Sequence, residues 1–567
     1  LNVQNLITNH IETWTTAKVQ KASGGRGRGK KSSGQSQYGI KKLRELILEL
    51  AVRGKLVPQD PTDEPASELL IRIVREKERL VASNKVRKQK PLHDIAEDEK
   101  PFKLPTSWRW VRLPDIYYLI SPGTKKVKTK DTFSEGTYPV VDQGQTFVAG
   151  YIEDGTKVIN IPGPVIVFGD HTRNLKLVDF NFVPGADGTK ILRPIICFEP
   201  YFFNVLQSYS LEDRGYGRHY KILTSQLFAL PPLTEQHRIV AKVDELMALS
   251  DLLEQEQADN SETHQLLVKT LLETLTIAAD HDYFISTWKM IEQNFDLLFT
   301  TPESIDDLKQ TILQLAVMGK LVPQDPNDEP ASELLKKIAA EKARLVNEGK
   351  IKKQKSQPKI SENEKPFELP VGWKWTRLGD ALKKITDGTH HSPPNFERGD
   401  FLYISAKNIK TDGVLTRNAT YVSRKVHAEI YSRCDPEYGD LLYIKDGATT
   451  GIATINNLRE PFSMLSSVAL LKTSKGLINT FLLLAMRSPF FYAEMRSEMT
   501  GVAITRVTLK KLNYAKIPLP PIAEQHHIIA KVDELLQLCD SIKERLNEAQ
   551  TTQVQLADAI ADQNNNQ

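Results

Sequence analysis

The sequence predicts an α+β protein: two small mixed α/β domains held apart by long, antiparallel, coiled-coil-like helices in an internal pseudo-twofold repeat. Three observations predict it. The phrase GKLVPQDPTDEPASELL begins at Gly54 and returns with one letter changed at Gly319, 265 positions later. The phrase LPPLTEQHRIVAKVDELMAL from Leu230 returns as LPPIAEQHHIIAKVDELLQL from Leu519, now 289 positions later. Between these matching frames lie segments that differ in sequence, the second longer by 24 residues.

A chain of 567 residues is too long for one hydrophobic core and is expected to hold several modules. Its formal charge of +4 makes it no polycation, so any nucleic-acid surface must be local. The three cysteines, Cys197, Cys434 and Cys539, lack CxxC spacing, which argues against a zinc site or a disulfide framework. No apolar run is long enough to span a membrane, and the first residues lack the hydrophobic core of a signal peptide, so a soluble, cytoplasmic protein is expected.

Taken in order, residues 1–39 comprise a helix-like stretch around NLITNHIETW, expected to complete a helical frame, and a flexible basic linker from Lys21 to Gly39. Within that linker GGRGRGKKS spaces Gly24, Gly29 and Lys30 as a phosphate loop would. Lys31 stands where Ser or Thr is needed, and no strand precedes it. In the first frame, 40–101, Leu43, Leu46, Ile47 and Leu50 form a helical stripe, and the segment Pro58 to Pro65 breaks it before ASELLIRIVREKERLV resumes. The first insert, 102–230, contains the apolar strand PVIVFGD. Region 231–366 opens behind Pro231 and Pro232 with Ile239, Val243, Leu246, Ser250 and Leu253 at coiled-coil spacing, and then repeats the frame. The second insert, 367–520, carries the strand GDLLYIKDGATTG and a helical stripe in NTFLLLAMRSPFFYAEMRS. Region 521–567 repeats the seam with Ile528, Val532, Leu535, Cys539 and Ile542, which reads Cys539 as a small core residue.

Charge separates frame from insert. Thr234 to Asp280 has ten acidic and three basic residues, whereas Pro101 to Leu230 is net +3 and Pro366 to Pro520 is net +7. An acidic helix repels phosphate, so the inserts are the parts expected to meet nucleic acid. As one helix, Thr234 to Asp280 would be about 70 Å long, against about 34 Å for a turn of B-DNA. Such a rod could hold two reading heads over separate major-groove faces.

The frames, with their LP…W.W..L.D entry, PLPP…EQ..I…VD.L exit and GKL…DP.DEPAS.LL phrase, resemble the specificity subunit of type I restriction-modification enzymes from about Ile40 to about Ala549. The resemblance implies target-recognition domains at about Phe102 to Leu230 and Phe367 to Pro520. It implies an asymmetric, bipartite double-stranded DNA target with a nonspecific spacer. It also implies a chain that is not itself catalytic and binds no cofactor. Two modification subunits using S-adenosylmethionine and two restriction subunits using ATP and Mg2+ would assemble with it.

The chemistry-bearing residues agree with that division. DPEY at Asp435 resembles an adenine methyltransferase signature, but Glu437 replaces its second proline and no cofactor loop accompanies it. His390 and His391 have no companion ligands at metal-binding spacing. Candidate DNA contacts are polar loop residues, since Arg can read guanine and Asn adenine bidentately. In the first insert these are His171, Arg173, Asn174 and Lys176, then Arg214, Tyr216, Arg218, His219 and Lys221. Lys125, Lys126, Lys128 and Lys130 suit phosphates, although an ordinary solvated loop would hold the same lysines. In the second insert they are His390, His391, Lys407, Asn408, Lys445, Thr449, Thr450 and Arg506. Gly-rich loops that merely turn strands are the alternative. The basic runs Lys85 to Lys90 and Lys350 to Lys355 read either as phosphate contacts or as solvated linkers. The repeated Pro- and Asp-rich phrase is expected to dock the modification subunits, one per copy. A duplicated helical scaffold that binds only proteins is the rival reading, but it gives no reason for two unlike, basic inserts.

Overall fold

The computed structural model of the chain describes residues 3–20, 35–86, 92–186, 188–213, 215, 217–278, 281–353, 357–496 and 506–566. They form two compact units, Leu1–Ser261 with Glu548–Gln567, and Glu262–Asn547. Of the linker read from Lys21 to Gly39, residues 21–34, with the imitation of a phosphate loop, lie outside the described residues, whereas Gln35–Ser36 pairs as a short strand with Val19–Gln20 and the helix already begins at Tyr38. Parts of both basic runs also lie outside the described residues.

In the first unit the helix Tyr38–Val52 buries Leu43, Leu46, Ile47 and Leu50, the residues its periodicity singled out. Gly54 then takes a left-handed turn at φ +69°, where a Cβ would lie 2.6 Å from Pro105 Cγ. After the Pro-rich phrase the helix Ala66–Ala82 buries Leu69 and Ile73. The short helices Val3–Asn9 and Ile11–Thr16 place Ile7 and Trp14 in the same core as Ile40 and Leu43. Gln550 Nε2 donates to the carbonyls of Thr16 and Lys18, at 3.2 and 3.1 Å. The N-terminal segment therefore does complete the helical frame.

The first insert opens with the strand Arg109–Arg112 and closes with Leu227–Leu230, and these two pair antiparallel. Between them a four-stranded antiparallel sheet runs in the order Tyr117–Ile120, Thr189–Pro194, Val165–Gly169, Leu175–Val178. A three-stranded sheet orders Gly150–Ile152, Tyr138–Val141, Val183–Pro184, its last pair parallel. Every residue of Val165–Gly169 is buried, as expected of the fully apolar run. The chain leaves through the 45-residue helix Leu233–Ile277, on which Ile239, Val243, Leu246, Ser250 and Leu253 are all buried.

The second unit repeats this plan. The helices Pro302–Val317 and Ala331–Asn347 flank Gly319, at φ +70°. The strands Lys374–Arg377 and Lys516–Leu519 pair at the mouth of the insert. Its four-stranded sheet orders Leu382–Asp387, Val468–Thr473, Leu441–Ile444, Ala453–Ile455. Its three-stranded sheet orders Thr420–Val422, Phe401–Ile404, Ser463–Met464, again with one parallel pair. Two segments without sequence resemblance thus have the same strand order. The stripe from Asn479 forms two helices, Asn479–Arg487 and Pro489–Arg496, because Pro489 pushes Ser488 to ψ 150° and ends the first. Cys539 is 3% exposed among Ile528, Val532 and Ile542, the core role expected of it.

One polar lock recurs in both units. Trp108 Nε1 donates to Glu235 Oε2 at 2.9 Å and Gln59 Nε2 to Glu235 Oε1 at 2.6 Å. In the second copy Trp373 and Gln324 donate to Glu524 at 2.7 and 3.1 Å. The next residue closes the insert: Gln236 accepts from the Phe198 amide at 2.8 Å, and Gln525 accepts from the Ile478 amide at 2.9 Å. The repeated phrase, entry Trp and exit Glu-Gln are parts of one clamp.

Candidate nucleic-acid interface

In the first unit the central strand ends in a tight turn, with the Arg173 amide donating to Gly169 O at 2.8 Å and the Gly169 amide to Asn174 O at 2.9 Å. The turn puts Arg173 at φ +62°, an uncommon position for a side chain larger than Asn. The guanidinium of Arg173 is tied to Leu211 O at 3.0 Å and Asp213 Oδ2 at 2.8 Å, so it holds a neighbouring loop. Asn174 Nδ2 donates to Gln143 O at 2.9 Å, and His171 Nδ1 lies 3.2 Å from Gly217 O.

Two candidates of this insert are structural. Lys176 is 4% exposed and donates to the carbonyls of Asp142 at 2.9 Å and Thr146 at 2.6 Å; burial pulls its pKa below the usual lysine value. His219 is fully buried, with both its amide and Nδ1 on Asp170 O, at 2.8 and 3.0 Å. Buried donors must find partners inside the protein, and these have found backbone carbonyls. Lys125 reaches Val158 O at 2.7 Å, whereas Lys126, Lys128, Lys130, Arg218 and Lys221 remain exposed. Arg214 and Tyr216 lie outside the described residues.

In the second unit two of the loops picked from sequence, those of His390 and Lys445, meet at one buried carboxylate. Asp387, 1% exposed, pairs with Arg433, lies 3.4 Å from His390 Nε2 and lies 3.5 Å from Lys445 Nζ. Lys445 also donates to Asp446 at 2.8 Å, and Asp446 Oδ1 lies 3.3 Å from Arg506 Nε as an ion pair without a hydrogen bond. Arg433 was missed by sequence reasoning. It follows the helix Arg424–Tyr431, and nothing local distinguishes it from any cation near a helix end. Lys445, 2% exposed, organises the cluster from within. Asn408, 5% exposed, caps its own turn by accepting from Ser405 N at 3.1 Å, and Thr450 Oγ1 donates to Gly447 O at 2.7 Å. All three are buried and hydrogen-bonded within the protein. His390, His391, Lys407, Thr449 and Arg506 are exposed.

The acids of DPEY are engaged in ion pairs. Lys472, 5% exposed, lies within 3.5 Å of Asp435, Glu437 and Asp440, and Lys384 donates to Asp435 at 2.6 Å. Among the described residues no three His, Cys, Asp or Glu side chains form a metal-binding cluster. No helix among them is long and apolar enough to cross a membrane.

Both inserts therefore present exposed cations on loops, above buried charges that fix those loops. This geometry suits an extended anionic surface rather than a small-molecule pocket. Residues 370–551 match the family described as the type I restriction modification DNA specificity domain. The chain is 39% identical to the EcoAI type I restriction enzyme specificity subunit of Escherichia coli, and 38% identical to that of EcoEI from the same organism. Each match covers 99% of both chains. A crystal structure of the HsdS subunit from Thermoanaerobacter tengcongensis is 18% identical, covering 82% of this chain and 98% of its own, with a TM-score of 0.36.

Proposed function

This chain belongs to the specificity subunits of type I restriction enzymes, and from that premise we propose that each of its two inserts reads one half of an asymmetric, bipartite DNA target. It is a DNA-recognition component and not a catalyst. The observation that carries the proposal is the pairing of like architecture with unlike loops. One strand order and one Trp–Glu clamp serve both copies, while the loops at the strand ends differ in length, sequence and charge. Like scaffolds present their loops to DNA in the same manner, and unlike loops read different bases.

In this reading Lys126, Lys128, Lys130, Arg218 and Lys221 of the first insert meet DNA, with Lys125, His171, Arg173 and Asn174 shaping the surface behind them. His390, His391, Lys407, Thr449 and Arg506 do so in the second, buttressed by Lys445 and Arg433. Two modification subunits would dock on the duplicated frame and methylate adenine with S-adenosylmethionine. Two restriction subunits would supply ATP- and Mg2+-dependent cleavage, all in the cytoplasm.

A genome-wide map of adenine methylation tests this, in cells carrying the chain with its modification partner and in cells without the chain. The expected result is a new methylated motif in two unequal halves with a fixed gap. No such motif beside an active partner would overturn the proposal in favour of a protein-binding scaffold.

A further inference from the structure

Backbone hydrogen bonds align the two inserts residue by residue where their sequences do not. In the first, the strand pair Gly169↔Thr189 is followed by Asp170, whose amide donates to Gly188 O at 2.7 Å and whose carbonyl accepts the His219 amide at 2.8 Å. In the second, the pair Ile444↔Val468 is followed by Lys445, whose amide donates to Ser467 O at 2.9 Å and whose carbonyl accepts the Val507 amide at 2.8 Å. Asp170 and Lys445 are therefore equivalent, as are His219 and Val507. The residue before each of the latter pair is an arginine, Arg218 in one insert and Arg506 in the other. Both are exposed.

Resting on the DNA-reading function above, we propose that Arg218 and Arg506 are equivalent phosphate clamps, seating each domain on its half-site without reading sequence. The shared position argues for a sequence-independent contact, because the two half-sites differ. The surroundings have diverged: beyond the strand, the position of Asp446 in the second insert is held by His171 in the first. The arginine stays in place through this change. Each arginine is anchored by the backbone bond of the next residue, which fixes where its side chain departs. Arg506 meets Asp446 as an ion pair, Nε to Oδ1 at 3.3 Å, and its guanidinium makes no hydrogen bond among the described residues; Arg218 has no ion-pair partner among them. A guanidinium so held offers a fork to a phosphate.

The test compares Arg218→Ala, Arg506→Ala and the corresponding Lys variants in the chain assembled with its modification subunits. Duplex affinity is measured across a salt series, and the methylated motif is mapped for each. The expected result is about tenfold weaker binding for each Ala variant, on target and scrambled duplex alike, and a salt slope smaller by about one. The motif should be unchanged, and Lys should restore most of the affinity, because a phosphate accepts a point charge. Relaxed specificity at one base, unrescued by Lys, would overturn the assignment in favour of base reading. Unchanged affinity and slope would overturn it altogether. A wild-type complex that writes no bipartite motif would instead count against the DNA-reading function, so the two failures are distinguishable. Unchanged thermal melting of each variant confirms that the change lies in binding.

Discussion

The Trp108 indole donates to Glu235 across 2.9 Å, joining the entry of the first insert to its exit over 127 positions of sequence. Trp108 is 1% exposed, and Glu235 is fully buried. Replacing Trp108 by Phe keeps most of the ring but removes the donor, leaving the carboxylate with Gln59. The loss should be about 1–3 kcal/mol, read as a lower midpoint in thermal or denaturant unfolding. Trp373→Phe should behave the same way through Glu524.

The same carboxylate gives a pH dependence of known sign. Burial pushes the Glu235 pKa above its ordinary 4.5, against the lowering effect of the Trp108 and Gln59 donors. The folded state thus holds the proton more tightly than the unfolded chain. The stability from this source is complete below about 4.5 and is lost as pH rises through the raised value. Other carboxylates titrate nearby, so the measurement is the difference in stability between wild type and Glu235→Gln as a function of pH. The variant should gain on the wild type as pH rises through that window. Gln59 can turn its amide to accept from the new one, with Ser107 Oγ, 3.0 Å away, able to follow.

Lysines of the first insert divide by burial, and so should their variants. Lys176→Met removes two backbone hydrogen bonds and a contact of 3.5 Å with Asp142, and should cost about 2–4 kcal/mol of stability. Changing Lys126, Lys128 and Lys130 to Ala should leave the melting temperature nearly unchanged. Each that meets a phosphate should reduce the salt slope of DNA binding by about 0.9.

That division marks where the sequence stops being legible. The helical frame could be read in advance because periodicity and duplication act over tens of residues: Leu43, Leu46, Ile47 and Leu50 are buried as their spacing required, and Cys539 takes the core position of Ser250. The loops could not be read in the same way. A lysine after a strand has one chemistry whether it faces water, like Lys126, or a ring of carbonyls, like Lys176. Only the fold of distant segments decides, Asp142 and Thr146 in this case. Arg433 was missed for the same reason: its partner Asp387 is 46 positions away. Nor did the different sequences of the inserts betray their common strand order, since a sheet needs alternating burial and not particular residues.

Gly54 and Gly319 should tolerate no side chain. Each sits at a positive φ, and a Cβ would meet Pro105 Cγ at 2.6 Å or Pro370 Cγ at 2.4 Å. Gly319→Ala combines left-handed strain of about 1–2 kcal/mol with that overlap, so its loss on unfolding should exceed 2 kcal/mol. An equal change at an exposed glycine with open space around it, Gly349→Ala, should cost only the strain.

The repeated phrase has two faces, and they can be tested separately. The inner face belongs to the clamp: Gln59 bonds Glu235, and Asp63 pairs with Arg238 at 2.6 Å, which holds its carboxyl pKa below the usual range. Folding alone therefore explains part of the repetition. It does not explain the outer face, because Asp325, Pro326, Asn327 and Glu329 are exposed, as are Asp60, Pro61, Thr62 and Glu64. Exposed residues away from caps and clamps have little effect on stability. If two identical modification subunits each bind one copy, substituting the outer residues from Asp325 to Pro330 should cost one modification subunit per complex while the melting temperature holds. Native mass spectrometry of the assembled complex reads this directly. An unchanged stoichiometry would leave the clamp as the whole reason the phrase occurs twice.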